Sequence, residues 1–538
     1  MKKISVIILS LFVSVWTIAA DRTEGAMRQI AARQLSAVPA AVEQVLANKT
    51  FSVYQSEEGF VVVGKSLHTP AVLGYSSTAF PMEKMPCGLR WWLDATEKSL
   101  NRNDNPDSYG DVAGDNNTVD NFVETTWGQD SPFNDFCPKV NNVAPPCGCV
   151  ATAMAQILYY FKYPEQGRGM GSYRIGNGQY VETEVNGIYN WSMIPSLPLS
   201  SGSRRVVKNA VATVTRDCGY SVGMQYEEDG SGAYTFDAAR AFAVNFRYDP
   251  YAVQYVSRYF YARAPWHSML AVEIRAKRPV LYAANDSQMG GHAFVISGLD
   301  ADGLFYVNWG WNGSADGYYN LDTLTPTIDD TPLGYQFTVG QEMVIGLKAQ
   351  EEPDEGEIFR SAFGSMYDME DVRVSGTNSL TIPYFCMLNI HYMPFQGEVG
   401  LLLENEDGVS EQVLLPLMET EGEEIPCLSG WEDRYISCDF TEVPIGVYRM
   451  YYYSKAEGET EPQKALEYGG AGFTSIYVSK DAAGKMKVSK TPITSGISIL
   501  DATTAEKLSS IYSITGMRLS THPVRRGFYI VNGRKVLR

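Results

Sequence analysis

Pro145-Pro146-Cys147-Gly148-Cys149-Val150-Ala151-Thr152-Ala153-Met154-Ala155-Gln156-Ile157-Leu158-Tyr159-Tyr160-Phe161-Lys162-Tyr163-Pro164 is the segment on which the reading of this chain turns. Apolar residues at 150, 154, 157, 158 and 161 keep the spacing of one helix face, which predicts a buried helix. Pro164 stops it, while Pro145, Pro146 and Gly148 bar an earlier start, so Cys149 stands at the helix N-terminus. Unpaired N–H groups and the positive end of the helix dipole favour thiolate over thiol there. The commoner fate of a cysteine is to be an inert small hydrophobe; the position at a helix start argues for a nucleophile instead.

A thiolate nucleophile needs a base, and the chain has only five histidines. His68, His391 and His522 lie outside the region around Cys149, and His267 falls in what reads as a helix start, Ala264-Pro265-Trp266-His267-Ser268. His292 follows two glycines and heads the apolar run Ala293-Phe294-Val295-Ile296, which places an imidazole at the head of a buried strand. Its separation from Cys149, 292 − 149 = 143 residues, falls within the roughly 130–150 typical of papain-type pairs. A third group must orient the base. On the next predicted strand, Asn308 is placed to accept from the imidazole and Trp309 to shield that contact. Cys149 N–H and the side-chain amide of Gln129, in Trp127-Gly128-Gln129, are the candidate oxyanion donors.

The wider chain sets limits. Its 538 residues carry 44 Lys and Arg against 62 Asp and Glu, a net charge of −18, with no basic tract. Nucleic acid is therefore excluded as a partner, and the chain is a poor candidate for electrostatic docking on anionic lipid. Eight cysteines over this length are too sparse for a stapled mini-scaffold. No paired Cys/His spacing suggests a zinc knuckle, so neither a metal nor a cofactor is expected. Cys427 and Cys438 are spaced for a hairpin disulfide, a pairing that spacing alone does not establish.

Lys2-Lys3 followed by the apolar run Ile4–Ala20 reads as a signal peptide, with a membrane anchor as the alternative. Secretion or a cell-surface location follows. Residues 21–118 form a small α+β unit, with a helix expected from Met27 to Leu46 and strands at 51–54, 60–63 and 71–75. Asn101–Asn117 is a polar, cleavable linker. Residues 119–350 are long enough for one α+β core. The acidic stretch Glu351–Glu357 opens an alternating, sandwich-like region, 351–485, and a short β module, 486–538, has a tight turn at Asn532-Gly533.

Together the blocks Trp127–Asn134, Gly148–Ile157, Gly290–Ile296 and Val307–Trp311 resemble the streptopain family of secreted cysteine peptidases. Asp217–Val222 and Met224–Tyr226 look familial too. The resemblance implies a papain-like catalytic domain, an α+β fold, acting on protein or peptide substrates. It implies Cys149 as nucleophile, His292 as base, Gln129 in the oxyanion hole, and Asn308 or Trp309 as support for the histidine. It further implies a hydrophobic residue two positions before the scissile bond. Residues 21–118 resemble the family's inhibitory propeptide. Their inhibition is expected to be non-covalent and reversible, with Cys87 dispensable. The tail resembles C-terminal sorting modules of Bacteroidetes-type bacteria, which implies an export-machinery partner. The competing readings are a surface adhesion protein with an inactive peptidase fold and a transglutaminase-like acyl transferase.

Overall fold

A computed structural model of the chain describes residues 21–101, 118–176, 178–195, 198–286, 290–321, 340–349, 361–405, 412–470 and 472–493. It adds short strand backbones at 498–499, 511–513, 528–531 and 534–537. The expected leader 1–20, linker residues 102–117, the acidic stretch 351–357 and the Asn532-Gly533 turn lie outside the described residues. Two compact units divide the chain. The first runs to Ile358 and includes Ile390–Pro394 and Pro426–Leu428; the second takes the remainder from Phe359.

The first unit opens with α1 (Glu24–Gln34), capped by Thr23, whose hydroxyl accepts from Ala26 N–H at 3.2 Å. The helix expected to reach Leu46 ends at Gln34 instead. Pro39 begins a single 3-10 turn, and Val45 and Leu46 join β1 (Glu43–Ala47). Next come β2 (Phe51–Ser56), β3 (Gly59–Gly64) and β4 (Val72–Ser76), near the expected strand positions. Their apolar runs are continuous because both faces are covered. Phe51, Val53, Phe60 and Val62 face one core; Tyr54, Val61 and Val63 pack with Met27, Ala31 and Leu35 around α1.

The sequence reading missed α2 (Cys87–Asn101). Its signal is present: Leu89, Trp92, Leu93 and Thr96 follow helical spacing, and all four are buried. Then comes α3 (Cys149–Phe161), ended by left-handed Lys162 (φ 52°) two residues before Pro164. Every residue from Val150 to Tyr159 is buried, so α3 is enclosed on all sides rather than along one stripe. Small residues at 151, 152, 153 and 155 permit that close packing.

The remaining elements are β5 (Met170–Ile175), β6 (Gln179–Glu184), α4 (Arg205–Ser221), β7 (Gln225–Glu227), β8 (Gly230–Gly232), α5 (Thr235–Val244), β9 (Gln254–Ser257) and α6 (Arg263–Arg275). They are followed by β10 (Val280–Asp286), β11 (Gly290–Leu299), β12 (Phe305–Asn308), β13 (Gly317–Tyr319) and β14 (Gly340–Ile345). Ten strands form one sheet in the order β1-β2-β3-β4-β13-β12-β11-β10-β14-β9. The join is β4 against β13, antiparallel, with Tyr75 opposite Tyr318. The N-terminal strands therefore extend the sheet that carries His292 and Asn308. A single apolar cluster contains Phe51, Val53 and Trp92 together with Tyr282, Phe294 and Trp309.

In the second unit, strand 379–389 pairs with 430–439, 373–376 and 363–365, while strand 397–405 pairs with 413–419 and 446–456. Leu380, Ile382 and Met387 share a core with Val399, Leu401, Leu403, Met450 and Tyr452. Alternate residues of two sheets thus meet in a sandwich. Strand 486–489 adds to it beside 475–480. All eight cysteines are free thiols, so the hairpin pairing of Cys427 with Cys438 is not formed.

Candidate active site

Cys149 is the first residue of α3, and Gly148 before it has φ 92°, a left-handed conformation that favours glycine. Met224 Sδ would stand 2.7 Å from any Cβ at Gly148, so the turn is closed to side chains on packing grounds as well. Thr152 ties the helix head down, its hydroxyl donating to Gly148 O at 3.0 Å. Cys147 N–H donates to Gln129 O at 2.9 Å, which fixes the Gln129 loop beside the helix start, with Gln129 buried. Cys147 itself is fully buried, its sulfur 3.2 Å from Thr152 Oγ1. Burial pushes its thiol well up, so it is the inert member of the Cys147/Cys149 pair.

His292 is buried on β11. Its Nε2 donates to Trp309 O at 2.8 Å, which fixes the tautomer and turns Nδ1 toward the thiols. Burial alone would raise the Cys149 thiol, but the hydrogen bond and charge of His292, with help from Ala293 and Val150 N–H, bring it below the ordinary thiol range. Burial likewise opposes charge on His292, yet hydrogen bonds to Cys149 and Cys87 outweigh it and lift the imidazole well above its ordinary value. The two shifts have one cause, a thiolate–imidazolium pair.

The two sequence candidates for the orienting group part company. Asn308, expected to accept from the imidazole, instead donates to Gln156 Oε1 at 3.0 Å and accepts from Gln156 Nε2 at 3.2 Å and Gly310 N–H at 3.1 Å. It lies at the end of β12, and that network points it into α3. Trp309 does support His292, through its carbonyl; its ring stacks 6.4 Å from the imidazole, beside Phe294 and Trp311. Asp316 Oδ1 accepts from Trp309 N–H at 2.8 Å and so braces that peptide from behind. Burial raises the Asp316 carboxyl to about 7. His267 lies on α6, its ring 5.5 Å from Phe305.

Three features escaped the sequence reading. Gln156 is a fully buried amide in an otherwise apolar helix, and such a group requires partners. Asp316 had no local motif. Most consequential is Cys87, whose Sγ lies 3.3 Å from His292 Nδ1. Gly88 behind it is pressed against the same groups. A Cβ there would overlap His292 Cδ2 and stand 2.5 Å from Trp309 Cε3. The expectation that inhibition does not require Cys87 concerns function, and the contact adds only that the thiol touches the imidazole.

The family model described as Peptidase C10 matches residues 127–319. The chain is 31% identical over 316 residues to the thiol protease/hemagglutinin PrtT of Porphyromonas gingivalis, covering 54% of this chain and 36% of that protein. It is 31% identical over 329 residues to streptopain of Streptococcus pyogenes serotype M28, covering 56% of this chain and 82% of that one. A solved fragment of Prevotella intermedia prointerpain A is similar with a TM-score of 0.51 and 32% identity, over 57% of this chain and 99% of the fragment.

Proposed function

Since the chain belongs to the Peptidase C10 family of cysteine peptidases and shares the fold of a zymogen, we propose that it is a secreted endopeptidase. On this reading it is made latent and acts through Cys149 and His292. The observation that carries the reading is the Cys149–His292 pair at the head of α3, with His292 Nε2 held on Trp309 O.

In this mechanism the Cys149 thiolate attacks the scissile carbonyl carbon. The oxyanion that forms is held by Cys149 N–H, unpaired at the helix start, and by the side-chain amide of Gln129. The His292 imidazolium protonates the departing amine, leaving a thioester on Cys149. Neutral His292 then takes a proton from water, which attacks the thioester, and the thiol is returned as thiolate. Trp309 O keeps the ring on axis through both transfers. An extended protein or peptide substrate is the class that fits, with a hydrophobic side chain two positions before the cut as its anchor.

Residues 21 to about 118 act as the propeptide, with release by cleavage within Asn101–Asn117. Lys2-Lys3 and the apolar run to Ala20 support export. The tail supports a partner in the export machinery.

The test compares the full chain with Cys149→Ala and His292→Ala on a denatured protein substrate. Both variants should be inactive with unchanged circular dichroism, and His267→Ala should stay active. An active Cys149→Ala enzyme would remove the nucleophile from this reading.

A further inference from the structure

Six of the eight thiols are buried. The two that solvent reaches, exposed Cys87 and half-buried Cys149, both bear on one imidazole. Each is the first residue of its helix, α2 and α3. The backbone at Gly88 leaves no room between α2 and the His292–Trp309 pair. An exposed cysteine placed on the catalytic base is an odd choice if occlusion alone is needed, because any apolar side chain would occlude. A thiol adds redox chemistry with the nucleophile that bears on the same imidazole.

We propose that Cys87 is a redox latch of the precursor, closing as a disulfide with Cys149 in the presence of a low-molecular-weight disulfide such as oxidised glutathione. The proposal rests on the reading of Cys149 and His292 as nucleophile and base, and adds a control on the same site.

The exchange balances with that one co-reactant. Cys87, the exposed sulfur, gives its proton to solvent and, as a thiolate beside the His292 imidazolium, attacks one sulfur of the glutathione disulfide, whose S–S bond breaks. One glutathione thiolate leaves, and a mixed disulfide remains on Cys87. The Cys149 thiolate attacks the Cys87 sulfur and expels the second glutathione. Two protein thiols are oxidised, one glutathione disulfide is reduced to two thiols, and the protons follow the leaving sulfurs. Both sulfurs face His292 Nδ1, since Nε2 is taken by Trp309 O, and closure requires the Cα atoms to reach disulfide geometry, about 4.4–6.8 Å apart. The closed precursor then has no free nucleophile, and a reductant opens it without proteolysis.

The experiment uses the full uncut chain incubated with oxidised glutathione, alkylated, digested and analysed by mass spectrometry. The expected result is loss of both alkylatable thiols together, a linked peptide containing Cys87 and Cys149, and recovery of both with dithiothreitol. In Cys87→Ala the linked peptide should vanish and Cys149 should carry glutathione instead. Separate glutathione adducts on Cys87 and Cys149 in the parent chain, or linkage of Cys149 to Cys147, would overturn the latch. Processed enzyme lacking Cys87 serves as the reference. If that enzyme is inactive, the peptidase reading fails; if it is active while no linked peptide forms, the latch alone fails.

Discussion

Replacing Gly88 with alanine drives a methyl group into the packing between the N-terminal segment and His292, the proposed base. The new carbon would overlap His292 Cδ2 and lie 2.5 Å from Trp309 Cε3. Trp309 is fully buried among Phe294, Tyr319 and Ala315, so its ring has nowhere to go. Overpacking of this kind costs about 1–3 kcal/mol, whereas alanine improves α2 by at most about 1 kcal/mol over glycine. The net effect is to lift α2 off the site. With the full helix gain set against it, the remaining ~0–2 kcal/mol raises the open population by up to about 30-fold. The assay is the rate at which a limiting epoxide thiol inactivator labels Cys149 in the uncut chain, with intactness followed on gels. Gly25→Ala, where nothing lies within 4 Å of the added carbon, is the control and should label like the parent. Equal labelling of Gly88→Ala and parent chains would refute the reasoning, since it would mean that α2 does not gate the thiol.

Three further outcomes follow from the same geometry. Peptidase activity should be bell-shaped in pH. The acid limb lies below the ordinary thiol range, where the lowered Cys149 loses its thiolate, and the alkaline limb lies above the ordinary imidazole range, where the raised His292 loses its proton; a single-limb profile from pH 4 to 10 would contradict the ion pair. Asn308→Ala should cost stability, about 1–3 kcal/mol for the stranded Gln156 amide, and leave the alkaline limb in place because Trp309 O, not Asn308, holds His292; urea titration and a pH–rate profile separate the two effects. Asp316, buried and raised to about 7, makes the folded state bind more protons than the unfolded one between about pH 4 and 7, so stability falls as pH rises through that window. Asp316→Asn should flatten that slope and gain up to about 4 kcal/mol at pH 8, read by denaturant unfolding at pH 5 and pH 8.

The proposed nucleophile and base were legible as candidates because each sits on a strong local signal: prolines and a glycine fix where α3 starts, and paired glycines introduce a continuous apolar strand at His292. The support of His292 was half legible. Position 309 was a candidate, but the group that acts is a carbonyl, which no side-chain pattern encodes. Asn308 has the right chemistry one residue early, and the buried amide of Gln156 competes for it successfully. Cys87 was invisible for another reason. Its contact with His292 depends on α2 folding back on a residue 205 positions away, and no local rule carries that distance. The same holds for the sheet. Each of β1 to β4 reads as a strand, but the edge they join, β13, is only three residues long, too short for its alternation to signal a partner.

That shared sheet has a consequence for activation. The proposed propeptide holds the enzyme in two places: β4 is hydrogen-bonded along β13, and the head of α2 sits on His292. A cut within Asn101–Asn117 breaks neither. It also leaves intact the apolar cluster in which Phe51, Val53 and Trp92 pack with Tyr282, Phe294 and Trp309. At about 1.5–3 kcal/mol for each large side chain buried, three such residues contribute about 4.5–9 kcal/mol, equivalent to a range from sub-millimolar to sub-micromolar affinity, and the β4–β13 pairing adds to it. Nicking and activation are therefore separate events. In a time course of the processed chain, intact mass should report the cut before hydrolysis of a small peptide substrate rises, and the lag should shorten on dilution or on digestion of the freed fragment. Activity that rises in step with the cut, at protein concentrations well above micromolar, would show that the strand pairing and the cluster do not outlast the covalent link.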